Sequence, residues 1–388
     1  MNFNLTSKLP HVGTTIFTKM TTLANAQQAL NLSQGFPDFE TDPKLIQLVA
    51  QAMEKGYNQY APMIGAQPLR DAIVRKYKEI YNVEVDATEE LTITAGGTQA
   101  IFTAIATVVR PQDEVIIFEP AYDCYAPTIE LFGGKVVPVR LLAPDFRIDW
   151  DYVATLMNAK TRLIIINNPN NPTGKVLDRE ELIKLGALLE GTSTLLLSDE
   201  VYEHIVFDGV LPQSVIGIPT LRERSFVIAS FGKLLHTTGW KIGYCIAPAL
   251  LTQEFRKVHQ FNVFSVNSPM QFAIAEYLSD LSYVKGLSAF FEQKRNLLKD
   301  GLKESRFKIL PCEGTYFLNI DYSAISEEKE FEFACLLTEQ HKIATIPLSA
   351  FYKEVTNQQV LRVCFAKKDE TLWKAVEILK KILGLFLG

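Results

Sequence analysis

A lysine just past a buried strand, with no carboxylate near it in sequence, is a candidate for carbonyl chemistry. The stretch SFGKLLHTTGWKIGY, Ser230 to Tyr244, holds two such residues, Lys233 and Lys241. It follows an apolar run, Phe226 to Ala229, that reads as a core strand. Four other stretches carry polar groups of matching chemistry. In TAGGTQA, the pair Gly96-Gly97 precedes a helix beginning near Thr98, whose free N–H groups suit a phosphate. Gly-Gly before a helix is common, and the stretch is neither G-x-G-x-x-G nor a P-loop. EPAYDCY sets Tyr122 just after a strand, where its ring either packs in the core or stacks on a flat ligand. NNPNNPTG, Asn167 to Gly174, is a turn on any reading, and its amides can serve a buried polar ligand. SDEVY places Asp199 directly after TLLL. That residue either caps a helix or pairs a cationic ring nitrogen from a buried position. Tyr202 shares its face if the segment turns helically. A planar, phosphorylated heterocycle with an aldehyde would use all five elements.

The elements that must position these groups alternate. LTITAGGTQAIFTAIATVV reads as strand, turn and helix. DEVIIFEPAYDCYAP, TRLIIINNPNNPTG, STLLLSDEVYEH and SFVIAS each read as a strand ending in one of the unusual loops. Apolar, β-branched strands interleaved with helices predict an α/β fold with a largely parallel sheet covered on both faces. In such sheets ligands collect beyond the carboxyl ends of the strands, so sites distant in sequence meet at one edge. The last third reads as a smaller α+β unit. It has a helix in LSAFFEQKRNLLKDGLKES, strands in GTYFLNIDYS and VLRVCFA, and a final amphipathic helix in ETLWKAVEILKKILGLF. We expect residues 1–45 to form an N-terminal arm packing with that unit, 46–285 the large domain, and 286–388 the small one.

The net charge of −5, from 39 basic and 44 acidic residues, argues against nucleic acid or an anionic membrane as partner. Five dispersed cysteines without a CxxC read as reduced thiols, and no metal site is expected. The opening MNFNLTSKLPHVG lacks the pattern of a signal peptide. A cytoplasmic location is the expectation.

Gly96-Gly97-Thr98, Pro120-Ala121-Tyr122, Asn171-Pro172-Thr173-Gly174, Asp199-x-x-Tyr202, Ser230-Phe231-Gly232-Lys233 and Arg362 occur in an order and spacing that resembles the fold-type I, class I/II pyridoxal-phosphate aminotransferases. The likeness covers nearly the whole chain. LSQGFPDF, QYAPMIGAQPLRDAI, EPAYDCYAP and LRVCFAKK look most like the branch holding methionine aminotransferases and kynurenine–glutamine transaminases. The resemblance implies a seven-stranded sheet between helices plus a smaller domain, with pyridoxal 5'-phosphate as cofactor. It implies that Lys233 forms the Schiff base, that Asp199 pairs the pyridine nitrogen, and that Asn171 and Tyr202 bond the ring's phenolic oxygen. It gives Tyr122 a stacking role and assigns Gly96, Gly97, Thr98, Ser230 and Lys241 to the phosphate. Many aminotransferases carry Arg where this chain has Lys241, and the kynurenine/methionine branch shares the lysine. Arg362 is expected to grip the substrate carboxylate, with Gly35, Asn171 and Tyr122 beside it. Tyr60 is expected to reach the neighbouring subunit's phosphate, so the likeness implies a homodimer.

The activity implied is ping-pong transfer of an amino group from an amino acid to a 2-oxo acid. No second arginine has an obvious claim between Gln253 and Gln271, which disfavours aspartate. TTIFTKM (14–20) and HQFNVFSVN (259–267) are apolar and aromatic. If they line the pocket, the donor is methionine or another large apolar or aromatic amino acid. Otherwise they are dimer core. A cysteine-conjugate β-lyase would use the same cofactor and lysine. A cofactor-sensing regulator would need a DNA-binding domain, and a nicotinamide dehydrogenase would need G-x-G-x-x-G after a strand.

Overall fold

A computed structural model describes residues 5–354 and 356–383. Its centre is a seven-stranded sheet in the spatial order 91–94, 243–246, 225–230, 195–199, 161–167, 114–119 and 135–140. The last five pair in parallel. Gly243–Ile246 runs antiparallel to both neighbours, Ser225–Ser230 and Leu91–Thr94. The sheet is therefore mostly parallel, as the alternating pattern predicts, with one reversed strand that the pattern does not reveal.

The strands read as continuous apolar runs because both faces are covered. Ile164, Ile166, Leu196, Val227 and Ala229 enter one core cluster. Leu163, Ile165, Leu197, Phe226 and Ile228 enter a second on the opposite face. Side chains alternate across a strand, so each run feeds both cores. The flanking helices begin on clear signals. Arg179–Leu189 carries a capping box between Asp178 and Glu181. Gly97–Val108 starts at the glycine pair.

The reversed strand positions the lysines. Residues 231–242 connect Ser225–Ser230 to its antiparallel neighbour, so this loop turns over the carboxyl edge of the sheet. Lys233 lies at the start of that crossing and Lys241 at its end.

A second, four-stranded antiparallel sheet has the order 346–347, 360–364, 317–321 and 308–309. The N-terminal segment reaches it through the Cys364 N–H, which donates to the Leu32 carbonyl at 2.9 Å, and Leu30–Asn31 pairs in parallel with Ile343–Ala344 as a separate two-stranded sheet. The helices Ser282–Gly301 and Asp369–Lys380 pack against each other beside this sheet. The expected final helix matches Asp369–Lys380, and residues 384–386 of that expectation lie outside the described residues. Among the described residues no helix is long and apolar enough to cross a membrane.

Candidate active site

The strand-end loops and the small sheet enclose one cavity of about 270 Å³. Its walls include Gly97, Thr98, Tyr122, Asn171, Asp199, Tyr202, Ser230, Lys233, Lys241, Arg362 and Gly35. Gly96 and Tyr60 are absent from them. Gly96 lies behind the wall at φ +82°, where an added Cβ would meet the Lys241 Nζ at 3.3 Å. A Cβ on Gly97 would come within 2.9 Å of Val201. The glycine pair thus lets the start of Gly97–Val108 close against Lys241. Lys241 itself holds φ +55°, a left-handed backbone uncommon outside glycine. Free N–H groups of a first helical turn, a lysine and the hydroxyls of Thr98 and Ser230 make an anion cradle.

Asp199 ends the strand Leu195–Asp199 and is buried. It caps no helix, since turns follow at 201–204. Its Oδ2 accepts from Tyr125 Oη at 2.5 Å and its Oδ1 from the Val201 N–H at 3.3 Å. Burial pushes the carboxyl up to about 6, against the pull of those two bonds and of Lys233. No cation pairs with it among the described residues, so it is suited to a cationic ring N–H.

Lys233 sits in the single helical turn Phe231–Leu234. Its Nζ donates to Tyr316 Oη at 2.8 Å and to the Gly35 carbonyl at 3.2 Å. Burial brings the amine down to about 8, and the positive charges of Arg362 and Lys241 act the same way, while Cys364 and Asp199 oppose them. The neutral amine, which is the nucleophile and base, is therefore accessible near physiological pH.

Arg362 comes from the small sheet, on Val360–Cys364, and is 1% exposed. It donates to Asn171 Oδ1 at 2.8 Å and to the Ser33 carbonyl at 3.0 Å, while its Nε has no partner among the described residues. The guanidinium lies 3.9 Å over the Phe317 ring, 5.0 Å from Phe351 and 5.5 Å from Phe17. Burial lowers it to about 10, leaving it charged at neutral pH. Asn171 joins the two ends of the cavity. Its N–H donates to Asn167 Oδ1 at 2.7 Å, and the Asn167 amide donates to the Asp199 carbonyl at 2.8 Å. The NNPNNPTG loop is thus a strut between Asp199 and Arg362 rather than a surface turn.

Some expected residues lie apart. Tyr60 is 81% exposed and packs against Phe264 at 5.2 Å. Segment 259–267 does not line the cavity of its own chain: His259 is buried beside Gln99, and Phe261 is 90% exposed. The helix Ser268–Tyr277 begins just beyond it, which carries this stretch past the site. From 14–20 only Phe17 reaches the wall. Two tyrosines at the site were not anticipated. Tyr125 lies three residues after Tyr122, a spacing that hints at a shared face. Tyr316 stands before a strand whose distance from Lys233 no local pattern reveals.

The donor set fits pyridoxal phosphate. An anion cradle, an unpaired buried carboxylate, a flat aromatic at Tyr122 and a depressed lysine match its phosphate, ring nitrogen, ring face and aldehyde. The comparisons agree with that chemistry. Residues 27–379 match the model of aminotransferase class I and II. The chain is 48% identical to a methionine aminotransferase of Escherichia coli, over 97% of this chain and 98% of that enzyme. It is 33% identical to kynurenine–oxoglutarate transaminase 3 of Rattus norvegicus, covering 98% of this chain and 90% of the relative. The crystal structure of YbdL from Escherichia coli, for which a methionine aminotransferase function was identified, superposes with a TM-score of 0.96. That alignment has 48% identity and covers 98% of this chain and 100% of the other. The chain belongs to the class I and II aminotransferases, enzymes that depend on pyridoxal phosphate.

Proposed function

We propose that this aminotransferase takes its amino group from methionine and other large apolar or aromatic amino acids and passes it to a 2-oxo acid. One observation carries the donor preference: the Arg362 guanidinium is set among Phe317, Phe351 and Phe17. The other cations on the cavity wall are Lys233 and Lys241. A second carboxylate on the substrate would be desolvated there without a partner. The likeness to methionine aminotransferase supports the same donor.

When bound, the cofactor supplies an aldehyde that takes up the amino group and a ring that draws off electrons released at the substrate α-carbon. The chain's residues do the rest. Gly97, Thr98, Ser230 and Lys241 hold the phosphate. Asp199 keeps a proton on the ring nitrogen, and Tyr125 orients its carboxylate. Tyr202, whose phenol burial holds well above its usual range, and the Asn171 amide donate to the ring oxygen. Tyr122 covers the ring. Arg362 binds the α-carboxylate beside Gly35 and fixes the α-carbon near Lys233. Lys233, as a neutral amine, would take the proton from the substrate α-carbon and hold it on Nζ. The same residues would serve a β-lyase, which would release pyruvate without an acceptor.

Exposed Tyr60, Phe261 and Phe264 suit a homodimer in which Tyr60 reaches the partner's phosphate site. We assign 1–45 to an arm joined to the small domain, 46–285 to the large domain and 286–388 to the small domain, in a cytoplasmic enzyme.

The test is a kcat/KM series with methionine, phenylalanine, leucine, glutamine and aspartate, in wild type and Arg362→Ala. Methionine and the aromatic donor should exceed aspartate by ~10-fold or more. Arg362→Ala should damage every donor by a similar factor. Aspartate as the best donor would sink the apolar preference.

A further inference from the structure

We infer that Tyr316 and the Gly35 carbonyl form a neutral two-acceptor cradle that holds Lys233 while its amine carries the substrate's α-proton. The inference rests on the proposed reading of Lys233 as the base. Lys233 Nζ lies 2.8 Å from Tyr316 Oη and 3.2 Å from the Gly35 oxygen, and Tyr316 Oη donates to that same oxygen at 2.7 Å. A tyrosine hydroxyl has a single proton. With that proton committed to Gly35, Tyr316 offers Lys233 only lone pairs. Both groups facing the amine are then acceptors. They match an ammonium, which has three donors and no lone pair, better than a neutral amine.

The cradle is rigid. Tyr316 is 0% exposed, and its ring lies 4.9 Å from Phe317, 5.1 Å from Tyr202 and 5.6 Å from Phe291. Burial also raises its own phenol well above the ordinary range, so it stays neutral. The other titratable groups around Lys233 come from three elements. Cys364 and Arg362 lie on Val360–Cys364, Lys241 on the loop before Gly243–Ile246, and Asp199 and Tyr202 at and after the end of Leu195–Asp199. None forms an ion pair with Lys233 among the described residues.

Neutral acceptors suit a proton that must be taken and returned. The C–H bond at the α-carbon breaks, its electron pair stays with the carbon, and the new N–H forms on Lys233. A carboxylate in the place of Tyr316 would hold that proton too firmly. An apolar wall would leave the ammonium without partners.

The test is Tyr316→Phe, which keeps the ring. The readout is the pH dependence of pyridoxal-phosphate capture by the full-length apoprotein, followed by visible absorbance. Capture needs the neutral amine, so the wild-type rate should rise with pH to a limb near 8, the value to which burial lowers Lys233. Removing an acceptor destabilises the ammonium and should move that limb down by about one pH unit. The first half-reaction with methionine should slow by about tenfold, the same free energy expressed in rate. A limb that stays in place or rises overturns the inference. So does a variant that fails to fold or captures at no pH, because Tyr316 would then be a structural pillar. Lys233→Ala separates the two readings. If it captures cofactor with the wild-type limb, the assignment of Lys233 fails, whatever Tyr316 does.

Discussion

Two lysines stand among tyrosines inside this protein, and they differ in what faces the charge. Lys76, in the helix Gln67–Tyr81, is 0% exposed. Its Nζ contacts the Glu203 carboxylate, His204 Nε2 at 3.1 Å and Tyr244 Oη at 2.8 Å. Glu203 in turn accepts from Tyr81 at 3.0 Å and from Tyr244 at 3.1 Å. Among the described residues, Lys233 donates its hydrogen bonds to a hydroxyl and a carbonyl and to no carboxylate. Burial alone would push Glu203 up, but His204 and Lys76 outweigh it and hold the carboxylate well below its usual range. The paired lysine pins the segment that carries Tyr202. The unpaired one is left free to exchange its proton. One fold therefore uses a buried amine once as a tie and once as a reagent, and the nearby carboxylate decides which.

The comparison breaks first at the lysines themselves. Lys76→Met leaves Glu203 buried without its cation and should cost about 3–5 kcal/mol of stability. Lys233→Met removes a desolvated amine with no ionic partner. The apoprotein should keep its stability or gain about 1 kcal/mol, while transamination is lost. Denaturant unfolding of both apoproteins, beside a turnover assay, checks the pair. Equal destabilisation by the two substitutions would remove the distinction.

The carboxylates extend the contrast, with opposite signs. Asp199 is raised to about 6 and Glu200 to about 7, both mainly by burial. Glu200 accepts from Ser198 Oγ and the Val215 N–H, but its Oε2 has no partner among the described residues. The native apoprotein therefore holds protons that the unfolded chain releases near pH 4. Its stability should fall as pH rises from about 4.5 to 7, by up to ~3 kcal/mol per group. Glu203 acts in reverse: its contribution is present above the unfolded value and fades as pH drops towards its depressed one. Cofactor binding should flatten the Asp199 share, and Glu200→Gln the other. Unfolding midpoints between pH 4.5 and 7.5, with and without cofactor, measure this. A stability that climbs steadily through that window would contradict it.

The difference between the regions also explains what the sequence disclosed. Lys233, Asp199, Asn171 and Tyr122 stand at strand ends, where a continuous apolar run gives way to a polar turn, and that change is visible locally. Arg362 was found only through resemblance, because a lone arginine inside VLRVC looks like any strand residue. Lys76 is harder still. In RKYKEIY it reads as one cation on a solvated helix face, and its partner Glu203 is 127 positions away. Tyr316 is 83 positions from Lys233. The reversed strand Gly243–Ile246 escaped for a related reason, since strand direction is set by the path of the connecting loop and leaves no mark on composition. Segment 259–267 stays open in the sequence between pocket wall and dimer core, because aromatic content signals burial or an interface without saying which, and in its own chain it does not line the cavity.

The finest test of the contrast removes one hydrogen bond from the paired region. Tyr81 Oη donates to Glu203 Oε2, the oxygen that Lys76 does not contact. In Tyr81→Phe the ion pair and the ring contact with His204 remain, while the second oxygen of the buried Glu203 carboxylate loses its donor. A hydrogen bond to a charged group contributes about 1.5–3 kcal/mol, so the loss should lie at the low end of that range, because Tyr244 still donates to the other oxygen. The depressed Glu203 carboxyl should move upward, so that acid unfolding begins at a higher pH than in wild type. The capture limb of Lys233 should not shift, because Tyr81 touches neither the cavity nor its acceptors. Tyr316→Phe should do the opposite, shifting the limb with a smaller change in acid stability. Measuring acid unfolding and cofactor capture on both variants gives a two-by-two comparison. A Tyr81→Phe chain whose capture limb moves as far as that of Tyr316→Phe would mean the two lysine environments are coupled through the Tyr202–Glu203 segment and are not independent solutions.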